Sequence, residues 1–176
     1  MNFGQALDSA LIQNYRTFKG RACRAEYFYF LLFSIGLTIL VSIIGGIVSV
    51  AGMDVEYLAS LSEEQAAEYL LESENFVYLK WVGIIINLIL FLPSLSVTVR
   101  RLQDLDISFY WAFPYFITSV IALIISLDPF AEMAQRLGGA VNLVSVIYIL
   151  IFLRKGTYGK NRFGDNPLEN SSQDTY

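Results

Sequence analysis

Histidine and cysteine are the residues that this 176-residue sequence most lacks. It contains no histidine and a single cysteine, Cys23. An intramolecular disulfide is therefore impossible, and neither a zinc site nor catalysis by a Ser-His or Cys-His pair is expected. The arginines on either side of Cys23 would favour a reactive thiolate, but a small side chain filling a turn explains this cysteine equally simply. We expect no metal and no other cofactor.

Charged residues are also scarce in this sequence. They make up 16% of the chain, against 55% hydrophobic residues, and the mean hydropathy is +0.51. This composition is too apolar for a soluble domain of this length and far too apolar for a disordered chain. The net charge of −4 offers no general basic surface for phosphate backbones. The sequence therefore predicts an integral membrane protein with no nucleic-acid partner.

Four uncharged stretches account for much of the chain. They are residues Tyr27–Met53, Trp81–Val99, Ile107–Leu127 and Leu137–Leu153. A hydrocarbon layer about 30 Å thick needs about 20 helical residues, so three of the stretches suffice directly. The fourth is long enough if its helix begins at Asp128-Pro129, a capping residue followed by a first-turn proline. We predict an all-α, polytopic membrane protein with four transmembrane helices, because no stretch shows the strict alternation of a barrel strand.

The charges around these stretches predict an orientation. Ten of the twelve basic residues lie before the first stretch, between the second and third, or after the fourth. The positive-inside rule then places both termini in the cytoplasm. The first loop on the opposite side is acidic, and within it Ser62 and Gln65 have capping-box spacing. We predict a helix over Ser62–Ser73.

We expect a single four-helix membrane domain over residues 1–168 and a disordered tail over residues 169–176. The domain includes an N-terminal helix, because Phe3, Leu7, Leu11 and Tyr15 recur at steps of four along one helical face. An interfacial helix on the cytoplasmic leaflet fits this pattern. A helix that packs on the bundle or binds a partner fits it as well.

The predicted spans contain a few polar residues, prolines and small residues. Asn87 and Asn142 are expected to face the bundle interior and to hydrogen-bond across it, or else to line a solute path. Pro93 and Pro114 are expected to kink their helices. A ridge of small residues in the first span predicts a helix-packing face: Ser34, Thr38, Ser42 and Gly46. Ionisable residues are missing from the middle of the predicted spans, which argues against ion-coupled transport.

Three segments on the predicted cytoplasmic side are rich in glycine, arginine and acidic residues. They are Phe18–Phe30, Arg100–Trp111 and Lys155–Leu168. Together they resemble the domain-of-unknown-function 805 family. The matching positions are Gly20, Arg21, Arg24, Glu26 and Tyr27, then Arg100, Arg101, Leu102, Asp104 and Ser108, and finally Gly156, Thr157, Gly159, Asn161, Arg162, Phe163, Gly164 and Pro167. The second segment departs from the family's usual form, with Gln103 in place of a common histidine and with Asp106 and Phe109 in place of glycines. The resemblance implies a bacterial inner-membrane protein of four helices, and it carries no established activity.

The basic residues of these segments are the candidate functional site. Five arginines would share one membrane face: Arg21, Arg24, Arg100, Arg101 and Arg162. Glu26 and Asp104 can pair with some of them, and Asn161 can help to fasten the C-terminal segment. The arginines either hold loops to helix ends or bind an anionic lipid headgroup or another phosphate-bearing ligand.

Non-enzymatic binding or scaffolding is the function that we predict. Its partners would be membrane lipid, a partner protein or a second copy of the chain. The first alternative is a small-solute transporter or channel lined by Asn87 and Asn142. A second is a lipid-modifying enzyme, for which Glu26 and Asp104 are the obvious acid-base pair.

Overall fold

The structure is a computed structural model that describes residues 1–51, 53–127 and 132–168. The elements are α1 (Phe3–Asp8), a π-helical turn (Ser9–Gln13), α2 (Arg24–Ala51), α3 (Val55–Ser60), α4 (Glu63–Glu72), α5 (Glu74–Asp104), a 3-10 turn (Phe109–Ala112), α6 (Phe113–Leu127) and α7 (Glu132–Phe152). An isolated antiparallel bridge joins Asn161 and Gly164. The predicted all-α class is confirmed.

Three helical segments in the described part of the chain are long and apolar enough to cross a membrane. They are Arg24–Ala51, Glu74–Asp104 and Phe109–Leu127. A shorter apolar helix covers Arg136–Phe152. The predicted start of this last helix at Asp128-Pro129 and the predicted disordered tail both lie outside the described residues.

The α5 helix is the centre of the bundle. It packs on α2 and on α6, and α6 packs on α7. The start of α2 and the end of α7 meet where the rings of Tyr27 and Phe152 lie 4.6 Å apart. The end of α5 joins them there, because the Ala22 amide donates to the Arg100 carbonyl at 3.1 Å. We call this the Arg-rich end; the opposite end holds α3 and α4 and is the acidic end.

The prolines act differently in the two helices that contain them. Pro93 lies inside α5 and has no N–H to offer the carbonyl of Ile89, four residues earlier. The Tyr15 hydroxyl donates to that carbonyl instead, at 2.6 Å. Pro114 lies in the first turn of α6, where a missing N–H costs nothing. The helix changes from 3-10 to α geometry directly before Pro114.

The N-terminal segment packs on the bundle. Its buried side is formed by Ala6 and Ala10, both fully buried, whereas Phe3 is 43% exposed. The segment contacts α2, partly through an edge-on contact of Phe3 with Tyr29. Small residues allow this close approach.

Near the acidic end, the predicted cap of α4 is confirmed, whereas the close helix contact of the first span lies one residue from its predicted position. The Ser62 amide donates to Gln65 Oε1 at 3.2 Å and the Gln65 amide to Ser62 Oγ at 3.4 Å, which is the predicted reciprocal cap of α4. In the first span, a Cβ on Gly45 would lie 2.0 Å from Leu79, while one on Gly46 would meet open space. The close helix contact is therefore one residue away from the predicted ridge.

Candidate functional site

Five charged side chains are buried together at the Arg-rich end. They are Arg21, Glu26, Arg100, Arg101 and Asp104, which we call the buried charge cluster. None of these side chains is more than 4% exposed. Two of them flank the start of α2 and three lie in the last five residues of α5, so the meeting of these two helix ends creates the cluster.

Both carboxylates of the cluster are held by arginines. Asp104 accepts from Arg21 Nε at 2.9 Å and also contacts the Arg101 guanidinium. Glu26 lies 2.7 Å from Arg100 Nη2 and accepts from the Ser9 hydroxyl at 2.9 Å. Removing one partner from a buried ion pair leaves an uncompensated charge, which is strongly destabilising. The cluster therefore fixes how α2 and α5 meet, and its three guanidinium groups exceed its two carboxylates by one charge.

The guanidinium groups also bind the backbone that follows α7. Arg21 donates to the carbonyls of Gly159 at 2.5 Å and Thr157 at 2.6 Å. Arg101 donates to the carbonyl of Phe152, the last residue of α7, at 2.8 Å. The last carbonyls of a helix lack intrahelical donors and carry partial negative charge, so a cation stabilises them.

The C-terminal segment in turn satisfies the end of α5. The Asn161 side-chain amide donates to the Gln103 carbonyl at 2.9 Å, and the Thr157 amide donates to the Asp104 carbonyl at 2.9 Å. A Cβ on Gly156 would lie 2.1 Å from Asp104 Oδ2, so a glycine is needed for this approach. The three sequence segments thus converge on one cluster of contacts.

The five candidate arginines fall into two groups. Arg21, Arg100 and Arg101 are buried, whereas Arg24 and Arg162 are exposed. Arg162 pairs with Asp106 through Nε at 2.9 Å. Asp106 has φ of +58°, a left-handed conformation that glycine adopts without strain. A glycine, which the resemblance implies at this position, would adopt this conformation without strain, whereas this chain has an aspartate paired with Arg162.

A groove of about 330 Å³ opens beside the buried charge cluster. Its polar lining includes Arg24, Lys155 and Thr157, with Arg101 and Asp104 beneath them. An apolar groove of about 410 Å³ adjoins it and shares Arg24 in its lining. The sequence interpretation did not single out Lys155. Its position shortly after an apolar helix, Arg136–Phe152, is the signal that could have found it.

The two asparagines of the predicted spans do not show the hydrogen bonds between helices that the sequence predicts. Asn87 donates to the carbonyl of Gly83 in its own helix at 3.0 Å, so its predicted bond across the bundle is wrong. It does line a cavity between the helices. Asn142 lies on an exposed side of α7 and is absent from the described lining of that cavity.

The fold and the site define a class: helical membrane proteins whose helix ends are fastened together by buried ion pairs. Residues 15–165 match the family described as "Protein of unknown function (DUF805)", and the chain belongs to this family. The resemblance carried by the three sequence segments is confirmed.

Two relatives in bacteria are similar to the chain over most of its length. It is 31% identical over 162 residues to the "Inner membrane protein YhaI" of Escherichia coli (strain K12), covering 90% of this chain and 92% of that protein. The protein of the same name from Escherichia coli O157:H7 gives the same figures. No solved structure shows a significant match.

Proposed function

We propose that the chain is a multi-pass protein of the bacterial inner membrane, with α2, α5, α6 and α7 as four spans and both termini in the cytoplasm. The name of the E. coli relatives supports the membrane. The charge asymmetry supports the orientation: segments 1–30, 100–111 and 154–168 carry ten basic and five acidic residues, whereas segments 53–80 and 128–136 carry two basic and nine acidic ones. The start of α2 lies at the same end of the bundle as the ends of α5 and α7, as an even number of spans with both termini on one side requires.

Reporter fusions to the C-terminus test this orientation. A fused green fluorescent protein should fluoresce, since it folds in the cytoplasm, and a fused alkaline phosphatase should be inactive. The same pair of fusions inserted after Ser60, in the acidic loop, should give the opposite result. An active phosphatase at the C-terminus would contradict the proposed orientation.

The function that we propose is binding of a phosphate-bearing anion, the headgroup of an anionic phospholipid, in the groove beside the buried charge cluster. One observation carries this: Arg24 and Lys155 line the groove and are exposed, while the carboxylate beneath them, Asp104, is already shared by two arginines. An anion entering the groove would therefore meet surplus positive charge. Exposed basic residues at a membrane surface attract anionic lipids by about 1 kcal/mol each.

The adjoining apolar groove favours a lipid over a free phosphate. Its lining includes Phe28, Tyr29 and Leu153, which begin α2 and follow α7. A phospholipid could place its headgroup at Arg24 and its hydrocarbon along these side chains. Free phosphate would gain nothing from the apolar part.

A catalytic role is less compatible with this geometry. Glu26 and Asp104, the carboxylate pair that an enzyme would need, are buried and occupied by arginines. Neither is free to take a proton from a substrate at the membrane surface. We infer that the site binds rather than reacts.

Titration of the purified chain, monitored by native mass spectrometry, tests the lipid site. The ligands are phosphatidylglycerol, phosphatidylcholine and inorganic phosphate. Arg24→Gln/Lys155→Gln should weaken phosphatidylglycerol binding about thirtyfold, because two charges worth about 1 kcal/mol each are lost. The matched control is Lys160→Gln/Arg162→Gln, which removes two charges from the same end but outside the groove.

The outcomes separate the possible ligands. Retained phosphatidylglycerol binding in the control and loss in the groove variant would support the site. Equal losses in both variants would show attraction to the whole surface and would overturn a defined site. Preference for inorganic phosphate would indicate a soluble ligand instead. Absence of binding to all three would leave a partner protein as the occupant to seek.

A further inference from the structure

A second cavity lies between the helices, away from the Arg-rich end. Its volume is about 430 Å³, within the range of small-molecule sites. Polar side chains from α2, α5, α6 and α7 line it: Ser34, Thr38, Asn87, Ser94, Thr118, Ser119 and Ser145. Every one of the four long helices contributes at least one of these groups, so the polar lining does not come from a single helix.

The protons of these hydroxyl groups are already committed. Ser34 donates to the Phe30 carbonyl at 2.9 Å, Ser119 to the Tyr115 carbonyl at 2.8 Å, and Ser145 to the Val141 carbonyl at 3.0 Å. The other hydroxyls also donate to carbonyls three or four residues earlier: Thr38, Ser94 and Thr118. A hydroxyl has one proton and two lone pairs. Each group can therefore offer the cavity a hydrogen-bond acceptor.

The rest of the lining limits the charge and shape of an occupant. Asp, Glu, Lys and Arg are absent from the described lining, and apart from the phenol of Tyr115 the rest is apolar, with side chains such as Ile35, Leu90 and Leu123. A charged molecule would be desolvated there without a counter-charge, which is costly. An uncharged molecule that combines hydrocarbon with a hydrogen-bond donor matches both parts of the wall.

We propose that this cavity is a binding site for an uncharged amphiphile that donates a hydrogen bond, an alcohol in chemical class. The donor bonds to one of the hydroxyl oxygens, and the hydrocarbon packs on the apolar part of the wall. The site is separate from the headgroup groove, because the two linings share no residue in the described chain.

Thermal unfolding of the purified full chain in detergent tests the proposal with two probes. 1-Hexanol carries a donor, whereas hexyl methyl ether has the same hydrocarbon and an oxygen but no donor. At about ten times its dissociation constant, 1-hexanol should raise the unfolding temperature by about 4 °C. The ether should raise it far less, since it leaves the cavity's acceptors unpaired.

Two substitutions on α6 distinguish binding of 1-hexanol in the cavity from its partition into the detergent. Ser119→Phe fills the cavity and should abolish the rise with 1-hexanol. Ile117→Phe, at an exposed position outside the lining, should keep it. If Ser119→Phe does not fold, Ser119→Ala/Ser145→Ala replaces it. This variant lacks two acceptors, so the rise in unfolding temperature with 1-hexanol should fall towards the rise with the ether.

Three results would overturn the proposal. The first is an unfolding temperature that 1-hexanol leaves unchanged in the unsubstituted chain. The second is an equal rise with both probes, which would indicate an apolar cavity without donor selectivity. The third is an undiminished rise in the cavity-filled or the alanine variant, which would place the alcohol elsewhere.

Discussion

The Arg-rich end and the middle of the bundle are built in opposite ways. The last ten residues of α5, from Leu95 to Asp104, are all buried in protein. In contrast, none of the most apolar stretch of α2 is buried, and only 6% of that of the third candidate span. Lipid solvates apolar side chains as well as protein does, so helices gain little hydrophobic energy by meeting inside a membrane. Specific contacts must then come from polar groups, and this chain concentrates them at one end.

The two regions therefore have different roles. Ion pairs and helix-end hydrogen bonds at the Arg-rich end hold the start of α2, the end of α5 and the segment 152–161 in one arrangement. The looser middle leaves room for the hydroxyl-lined cavity. Stability and ligand space are therefore affected by different residues, and substitutions at each region should reveal this.

Asp104→Asn should have the largest effect. The substitution leaves Arg21 and Arg101 buried without their shared carboxylate. Breaking a buried ion pair costs about 3–5 kcal/mol, a large part of the stability of a domain. We expect the purified variant to unfold at a much lower temperature or to lose its single elution peak. Size-exclusion chromatography and thermal unfolding measure this.

The control for Asp104→Asn is Asp165→Asn. Asp165 pairs with Lys160 at 3.4 Å, but both side chains are more than half exposed. An exposed pair of this kind contributes about 0–1 kcal/mol. Comparable losses in the two variants would show that the buried charge cluster does not hold this end of the bundle together.

Gly156→Ala should have the next largest effect, and Gly36→Ala in α2 is its matched control away from the Arg-rich end. The added methyl at Gly156 would overlap the Asp104 carboxylate, whereas one at Gly36 has nothing within 4 Å. Overpacking costs about 1–3 kcal/mol. Thermal unfolding should therefore show destabilisation for Gly156→Ala and none for Gly36→Ala. Equal responses would mean that the two regions are packed alike.

The apolar helices and the three segments rich in glycine, arginine and acidic residues could be predicted because composition and charge are local properties of the sequence. An uncharged stretch of sufficient length is helical in a membrane whatever its neighbours are, since backbone groups must bond within it. The capping box of Ser62 and Gln65 is local too. The family resemblance depended on residues spaced along the chain, which needed no knowledge of their contacts.

Contacts between distant residues could not be predicted in the same way. Arg21 pairs with Asp104 across 83 positions, and that choice depends on how α2 and α5 rotate about their axes. The same rotation directs Asn87 towards a cavity while its amide bonds to its own helix. Patterns of residue type predicted that arginines and carboxylates would pair, but not that three of the five arginines would be buried.

Tyr15→Phe should have the smallest effect and tests the hydrogen bond between Tyr15 and the middle of α5. It removes the donor to the Ile89 carbonyl, which Pro93 leaves unpaired, and should cost about 1 kcal/mol. Pro93→Ala restores an N–H for that carbonyl. Thermal unfolding of both single variants and the double variant forms a cycle. Tyr15→Phe should lose most of its effect in the Pro93→Ala background, and an undiminished effect would mean that Tyr15 acts through packing rather than this hydrogen bond.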